Sequence, residues 1–183
     1  SGALPWIGEG EYRMNLTLLK GYKRAVLVFD GAMSEPTVFV NGKEAGKWAY
    51  GYNAFRIDIT PFIQFGKSNL IEVHLNNVEE SSRWYPGGGL YRPVSVELYG
   101  NENFSTWDTF VRTLKADKQE AEVEVNALLE GKTGKSGKTV IALLDEAGKK
   151  VAEQTVTGAN PEIKTTLKVA NPHLWSPESP YLY

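Results

Sequence analysis

Side chains able to stack on, bond to or clamp another molecule cluster in two stretches of this 183-residue chain. The denser one, residues 81–98, reads SSRWYPGGGLYRPVSVEL. It holds adjacent aromatics (Trp84, Tyr85), consecutive glycines (Gly87, Gly88, Gly89) and an aromatic–arginine pair (Tyr91, Arg92). Glycines in a row let the backbone take positive φ and come close to another surface. Arg92 carries a planar fork of donors that suits a carboxylate or backbone carbonyls. It is expected to be a largely buried structural clamp with more than one hydrogen bond, and Gly89 a structural residue of the turn feeding the next strand. A second use of the stretch is recognition. Aromatic rings bind pyranoses because the C–H face of the sugar packs on the ring while polar neighbours take the hydroxyls. Arg83, Trp84 and Tyr85 with Asn76 and Asn77 form one candidate sugar-contact set; Trp48, Tyr50 and Tyr52 form another. Packing against a neighbouring domain accounts for Trp48 and Tyr50 equally well.

Acid–base chemistry would need paired carboxylates, and the candidates are poor. Glu79 and Glu80 are adjacent, and neighbouring side chains on extended chain point apart. Glu122 and Glu124 share a strand face, but alternating acids on a strand make a solvated surface far more often than a site. No nucleophile–base arrangement is legible, so no catalytic residue is assigned. With no cysteine and two histidines, His74 and His173, no metal site and no cofactor are expected. His74 alternates with Val73 and Leu75, which turns it to solvent or a second sheet rather than to a ligand.

The elements that must position these residues follow from composition and period. Hydrophobic residues at 42% and charged ones at 23% are ordinary for a globular protein. A net charge of −2 gives no electrostatic case for nucleic acid or an anionic membrane, and no apolar run has the length of a membrane span. Neither partner is expected. The compartment is not fixed by these residues. Residues 1–100 hold 15 of the 21 aromatics and 13 of the 18 glycines, whereas the remainder is richer in lysine and glutamate. That contrast predicts two domains, 1–100 and 101–183.

The first reads as strands. Tyr12, Met14, Leu16 and Leu18 alternate with polar residues, and residues 25–29 are continuously apolar, as in a strand buried on both faces. Residues 37–40 run into Asn41-Gly42, a two-residue hairpin signal. Phe55, Ile57 and Ile59 share a face. Thr60-Pro61 predicts a short helix capped by the threonine and closed at Gly66. Ile71, Val73 and Leu75 make the next strand, and Val94, Val96 and Leu98 another. Short strands with glycine-rich turns predict an all-β sandwich.

Taken in order, VFVNG, AGKWAYGYNAFRIDITPFI, NLIEVHLNN and SSRWYPGGGLYRPVSV resemble the jelly-roll, galactose-binding-like domain of glycoside hydrolase family 2, and among its members the β-galactosidase-like enzymes. The likeness runs from GEGEYR, at Gly8, to Gly100; the family's further segment upstream of GEGEYR is absent. The resemblance implies that retaining hydrolysis by two carboxylates about 5 Å apart belongs to a catalytic barrel. This region would then be non-catalytic, would support the active site and substrate binding of that barrel, and would be inactive alone. In some β-galactosidases the domain lends an asparagine and an acid to the galactose pocket. The acid would fall near Arg83, so that contact does not carry over. A galactoside-type carbohydrate is the implied partner, bound weakly or only with the barrel, and a periplasmic or secreted location suits the parent enzyme.

The second half continues the match. Ala121, Val123, Val125, Ala127 and Leu129 alternate with polar residues; Val140, Ala142 and Leu144 follow, then residues 151–157 and 163–169. Strands at this spacing suggest an immunoglobulin-like sandwich, which has about seven. NPHLWSPESPYLY is similar to the end-of-module signature of the same family and at most begins one further strand. The domain is therefore expected to be truncated, with an exposed apolar face around Val123, Val125, Ala142 and Leu144, or self-association covering it. Trp6 and Trp175 are expected in a core or between domains. A free-standing lectin-like module and a purely structural sandwich remain alternatives.

Overall fold

A computed structural model describes residues 7–78, 88–131 and 137–183. The chain divides into two compact units, Ser1–Asn101 and Glu102–Tyr183. All regular structure among the described residues is β apart from one 3₁₀ turn.

The first unit contains β1 (Gly8–Thr17), β2 (Arg24–Phe29), β3 (Thr37–Val40), β4 (Lys43–Lys47), β5 (Phe55–Asp58), β6 (Ser68–Asn77) and β7 (Val94–Tyr99). They pair antiparallel as two sheets, β1-β6-β3-β4 and β5-β2-β7. The continuously apolar β2 lies between β5 and β7 and is buried along nearly its whole length. β6 alternates: Ile71, Val73 and Leu75 enter the core, while Glu72, His74 and Asn76 point away from it. The core draws Leu27 and Phe29 from β2, Val38 and Val40 from β3, and Phe55 and Ile57 from β5. Burying each such side chain contributes about 1.5–3 kcal/mol. Asn41 and Gly42 take φ of 50° and 76°, the left-handed pair that a two-residue hairpin requires.

Two details differ from the sequence reading. The helix expected from Thr60 to Gly66 is a single 3₁₀ turn, Thr60–Phe62, without a side-chain cap. The Thr60 hydroxyl instead accepts the Ala25 N–H at 3.0 Å, tying the turn to β2. Asn69, 1% exposed, organises the segment that follows. Its Oδ1 accepts from Gln64 N–H (2.8 Å) and Asn41 Nδ2 (3.0 Å), and its Nδ2 donates to the carbonyls of Lys67 (2.9 Å), Gln64 (3.0 Å) and Leu16 (3.4 Å).

The second unit contains β8 (Glu102–Phe104), β9 (Phe110–Ala116), β10 (Glu120–Gly131), β11 (Gly137–Leu144), β12 (Lys150–Gly158) and β13 (Glu162–Ala170). β10 pairs β13 along one edge and both β8 and β9 along the other, while β11 and β12 form a separate hairpin. Ala121, Val125, Ala127, Ile163, Leu167 and Val169 are among its buried apolar residues. The expected apolar exposure is confined to β11. Val140 and Leu144 are 49% and 45% exposed, and Ala142 is exposed between them. Val125 is buried and Val123 half-buried, because that face of β10 continues into Ile163 and Leu167 of β13. β9 is exposed along its length, so no burial period marked it. Residues 171–183 form no strand. His173 N–H donates to the Tyr183 hydroxyl (2.8 Å), the His173 ring stacks on Tyr181 (4.2 Å between centroids), and Ser176 and Ser179 exchange backbone bonds. Trp175 is 58% exposed and outside the unit's core. Trp6 lies outside the described residues.

Candidate functional site

Arg83, Trp84 and Tyr85, and with them Glu79 and Glu80, fall outside the described residues. The other candidates occupy different settings in the first unit. Trp48 follows β4, and its ring stacks on Phe55 at 5.5 Å, which stacks on Phe29 at 4.6 Å, a ladder running outward from the core. Its Nε1 donates to Asn53 Oδ1 at 2.9 Å, so Trp48 offers at most one free face and is held in place. Tyr50 and Tyr52 are 59% and 47% exposed, with rings 5.6 Å apart and tilted by 58°. Between them the Gly51 carbonyl accepts the Tyr91 hydroxyl at 2.8 Å. A side chain at Gly51 would meet Met33 Sδ at 2.6 Å, so the aromatic loop lies flat on the underlying chain.

Gly89 exchanges two backbone hydrogen bonds with Met33 (2.9 and 3.0 Å), has φ of 115°, and a Cβ there would lie 2.6 Å from the Tyr12 hydroxyl. Arg92 does not form the expected buried clamp. It is exposed, lies 5.4 Å from the Tyr91 ring centroid, and reaches the Asp30 carbonyl at 3.4 Å. The turn is held by backbone pairing and by Tyr91, so the guanidinium is left over its aromatic neighbour near solvent.

Asn76 and Asn77 close β6 on opposite faces. Asn77 is 3% exposed and belongs to the interior. Asn76 is exposed; its N–H donates to the Ser34 carbonyl at 2.9 Å, and the Ser34 hydroxyl donates to its carbonyl. The Asn76 side chain lines an open cleft of about 540 Å³ on the outer face of the β1-β6-β3-β4 sheet. Glu9 and Glu11 of β1, His74 of β6, Thr37 of β3 and Glu35 complete its polar lining. Strand register explains the gathering: Glu9 lies opposite Asn76, Glu11 opposite His74, and Thr37 opposite His74 on the other edge. A linear reading missed this cleft because its residues come from strands some sixty positions apart; the available signal was the matching outward period of β1 and β6.

Beside the cleft, Arg13 binds Glu11 and reaches Glu72 at 3.1 Å, and His74 Nε2 lies 3.3 Å from Glu11. Ligand atoms of Glu11, Glu72 and His74 all lie within 4.8 Å of one another, a spacing that a metal ion could use, but a guanidinium already bridges the two carboxylates. The same bridge argues against a glycosidase acid and nucleophile there, because a general acid must keep its proton and needs apolar surroundings to do so.

Glu122 and Glu124 are structural ion pairs. Lys168 lies 2.7 Å from Glu122, and Glu124 is bound by Arg112 at 2.9 Å and Lys164 at 3.2 Å. A hydrogen bond from Lys168, then its charge, holds the Glu122 carboxyl below its ordinary range; bonds from Lys164 and Asn126 do so for Glu124. Both shifts run opposite to what a general acid requires. Glu124 is covered by its partners rather than solvated, which corrects the expectation of a fully solvated face.

The described residues define an antiparallel all-β sandwich protein in which Glu11 with Glu72 and Glu122 with Glu124 are tied up by cations rather than set for acid–base work. The profile of Glycosyl hydrolases family 2 matches residues 104–183. The chain is 34% identical to a β-galactosidase, BoGH2A, of Bacteroides ovatus, over all of this chain and 22% of that protein. It is 26% identical to a β-glucuronidase of Formosa agariphila, over 97% of this chain and 21% of the other. The crystal structure of a glycosyl hydrolase family 2 member from Bacteroides cellulosilyticus superposes with a TM-score of 0.82 at 35% identity, covering 95% of this chain and 24% of that one. This chain belongs to glycosyl hydrolase family 2. It spans between a fifth and a quarter of the length of these relatives.

Proposed function

We propose that this chain is a non-catalytic region of a family 2 glycosidase acting on β-galactosides, which supports the active site and substrate binding of a catalytic barrel. One observation carries the reading: the whole chain aligns with a β-galactosidase while spanning 22% of it, and among the described residues Glu11 with Glu72 and Glu122 with Glu124 are bound by Arg13, Lys164 and Lys168. Retaining hydrolysis needs one carboxylic acid and one free carboxylate about 5 Å apart around the glycosidic bond. A guanidinium or ammonium clamped on either group removes that asymmetry. Two features support a role next to substrate: the exposed rings of Tyr50 and Tyr52, and Asn76 in the open cleft. Purified to homogeneity, the 183-residue chain should release no chromophore from nitrophenyl β-galactoside or β-glucuronide. Turnover that persists in the Glu11→Gln, Glu72→Gln and Glu122→Gln variants as well as the parent chain would indicate a contaminant. Turnover lost in any one of them would overturn the reading.

A further inference from the structure

We infer that the outer edge of β11 is an interface for a second copy of this chain, in which the two β11 strands pair antiparallel about a two-fold axis at Ile141. β11 pairs with β12, and no other strand lies against it among the described residues. An open edge is a template for another chain, and a two-stranded sheet is marginal by itself. Residues 132–136, outside the described residues, join the start of the strand, whereas the contact centres further on, at Ile141. Proteins protect such edges with charged side chains or by keeping them short. The other sheets follow that rule. Their edge strands carry Arg13 on β1, Glu44 on β4, Arg56 on β5, Glu97 on β7, Arg112 on β9 and Lys164 on β13, while β8 has only three residues. β11 does not: from Thr139 to Leu144 it holds no charge and no proline. Its exposed Val140, Ala142 and Leu144 alternate with half-buried Thr139, Ile141 and Leu143, the composition of a strand ready to pair.

Charge at the two ends of β11 selects a second copy and fixes its direction. Exposed Lys138 stands at the start, and Asp145 and Glu146 follow the last residue directly. Asp145 Oδ1 accepts the Ala147 and Lys149 N–H groups, which leaves the Glu146 carboxylate available. The lysines of that turn are on its far side: Lys149 and Lys150 lead into β12, and Lys150 is bound to Glu153 at 2.6 Å. With Ile141 opposite its own counterpart, Lys138 falls opposite Leu144 of the other copy, beside that copy's Glu146, at both ends of the pair. A parallel pair would set lysine against lysine and glutamate against glutamate. The antiparallel pair also keeps the faces continuous, because directly opposed residues share a face: Val140 meets Ala142 on the exposed side and Thr139 meets Leu143 on the half-buried one. The product is one sheet in the order β12-β11-β11-β12, closed at two copies by its symmetry.

The chain has no cysteine, so a single introduced cysteine forms a disulfide only between copies. Opposed residues of an antiparallel pair have Cα atoms about 4.5–5.5 Å apart, within disulfide range. Ile141→Cys should therefore give a covalent dimer under mild oxidation. Lys138→Cys should not, because its two copies stand about 20 Å apart along the strands. Sedimentation equilibrium of the whole 183-residue chain should show a monomer–dimer equilibrium. Ala142→Lys should raise its Kd at least about tenfold. The change is at an exposed position opposite Glu153 of β12, so the hairpin keeps its pairing, while two lysines are set diagonally across the two-fold axis. Lys138→Glu should also weaken the dimer about tenfold, and adding Glu146→Lys should restore the parent Kd, a rescue that altered folding alone would not produce. Circular dichroism checks that each variant is folded. A chain that stays monomeric, open-ended larger assemblies, a dimer that fails to cross-link at residue 141, or one whose Kd ignores the charge swap would each overturn the inference.

Discussion

Replacing Asn69 should destabilise the first unit more than any exposed change at the candidate site. Asn69 is 1% exposed and joins the hairpin at Asn41, the turn around Gln64 and Lys67, and the end of β1 at Leu16. Leucine has the same branched skeleton of heavy atoms and is the bulkier residue, so Asn69→Leu leaves no cavity but orphans the groups that Asn69 serves. The best paired of them are Gln64 N–H at 2.8 Å and the Lys67 carbonyl at 2.9 Å. At about 1–3 kcal/mol per buried group left without a partner, the loss should be about 3–5 kcal/mol. Asn69→Asp separates donor from acceptor. It keeps the acceptor for Gln64 and Asn41 but sets an oxygen against the carbonyls of Leu16, Gln64 and Lys67. Burial among carbonyls would raise that carboxyl above its unfolded value of about 3.9. A group raised in the folded state contributes most below its unfolded value and loses that contribution as pH rises through the folded one, so the aspartate variant should be most stable in acid. Urea unfolding followed by circular dichroism, with hydrogen exchange at Gln64 and Leu70, reads both effects. A Leu variant that loses less than about 1 kcal/mol would show that the network does not hold this end of the unit.

Phe55→Ala removes the middle ring of the Phe29–Phe55–Trp48 ladder and should cost about 3–5 kcal/mol in urea unfolding, with a red shift of Trp48 emission. Gly89→Ala should destabilise by about 1–3 kcal/mol, since φ is 115° and the new Cβ meets the Tyr12 hydroxyl; removing that hydroxyl with Tyr12→Phe should recover only the contact part. Arg92→Ala, at an exposed side chain with one long carbonyl contact, should stay within about 0.5–1 kcal/mol of the parent chain. In the second unit, Glu122, Glu124 and Asp117 all have carboxyls held low, the last by backbone bonds from Glu120 and Gln119. Their contribution is present above the unfolded carboxylate values of about 3.9–4.3 and is lost as pH falls through the lower folded ones, so urea midpoints should drop below about pH 4. Glu122→Gln should flatten that acid limb. Lys115 and Lys168, held high by Asp117 and Glu122, predict a second loss as pH climbs past their unfolded value of about 10.4.

Local period and turn chemistry determined most of the strands. The alternation of Ile71, Val73 and Leu75, the apolar run of β2 and the Asn41-Gly42 turn each depend on near neighbours, so one dimension carries them. The family likeness was legible for a related reason: motifs such as WYPGGGLYRPV are contiguous strings, read without knowing which strands lie side by side. Strand β9 had no such signal, because neither of its faces is buried. Tertiary structure decided what depended on which strands lie side by side. Arg92 read as a clamp from its chemistry, yet backbone pairing at Gly89 and the Tyr91 hydroxyl already hold that turn, and the guanidinium stays exposed. Thr60 read as a helix cap, but the nearest unsatisfied donor was Ala25 N–H on another strand. The cleft is the clearest case. Glu9 and Glu35 carry no signal in the sequence, and Asn76 is a candidate there only beside residues 83–85; only the antiparallel register of β1, β6 and β3 places the three around one space, since hydrogen-bonded strands juxtapose residues that the chain keeps far apart.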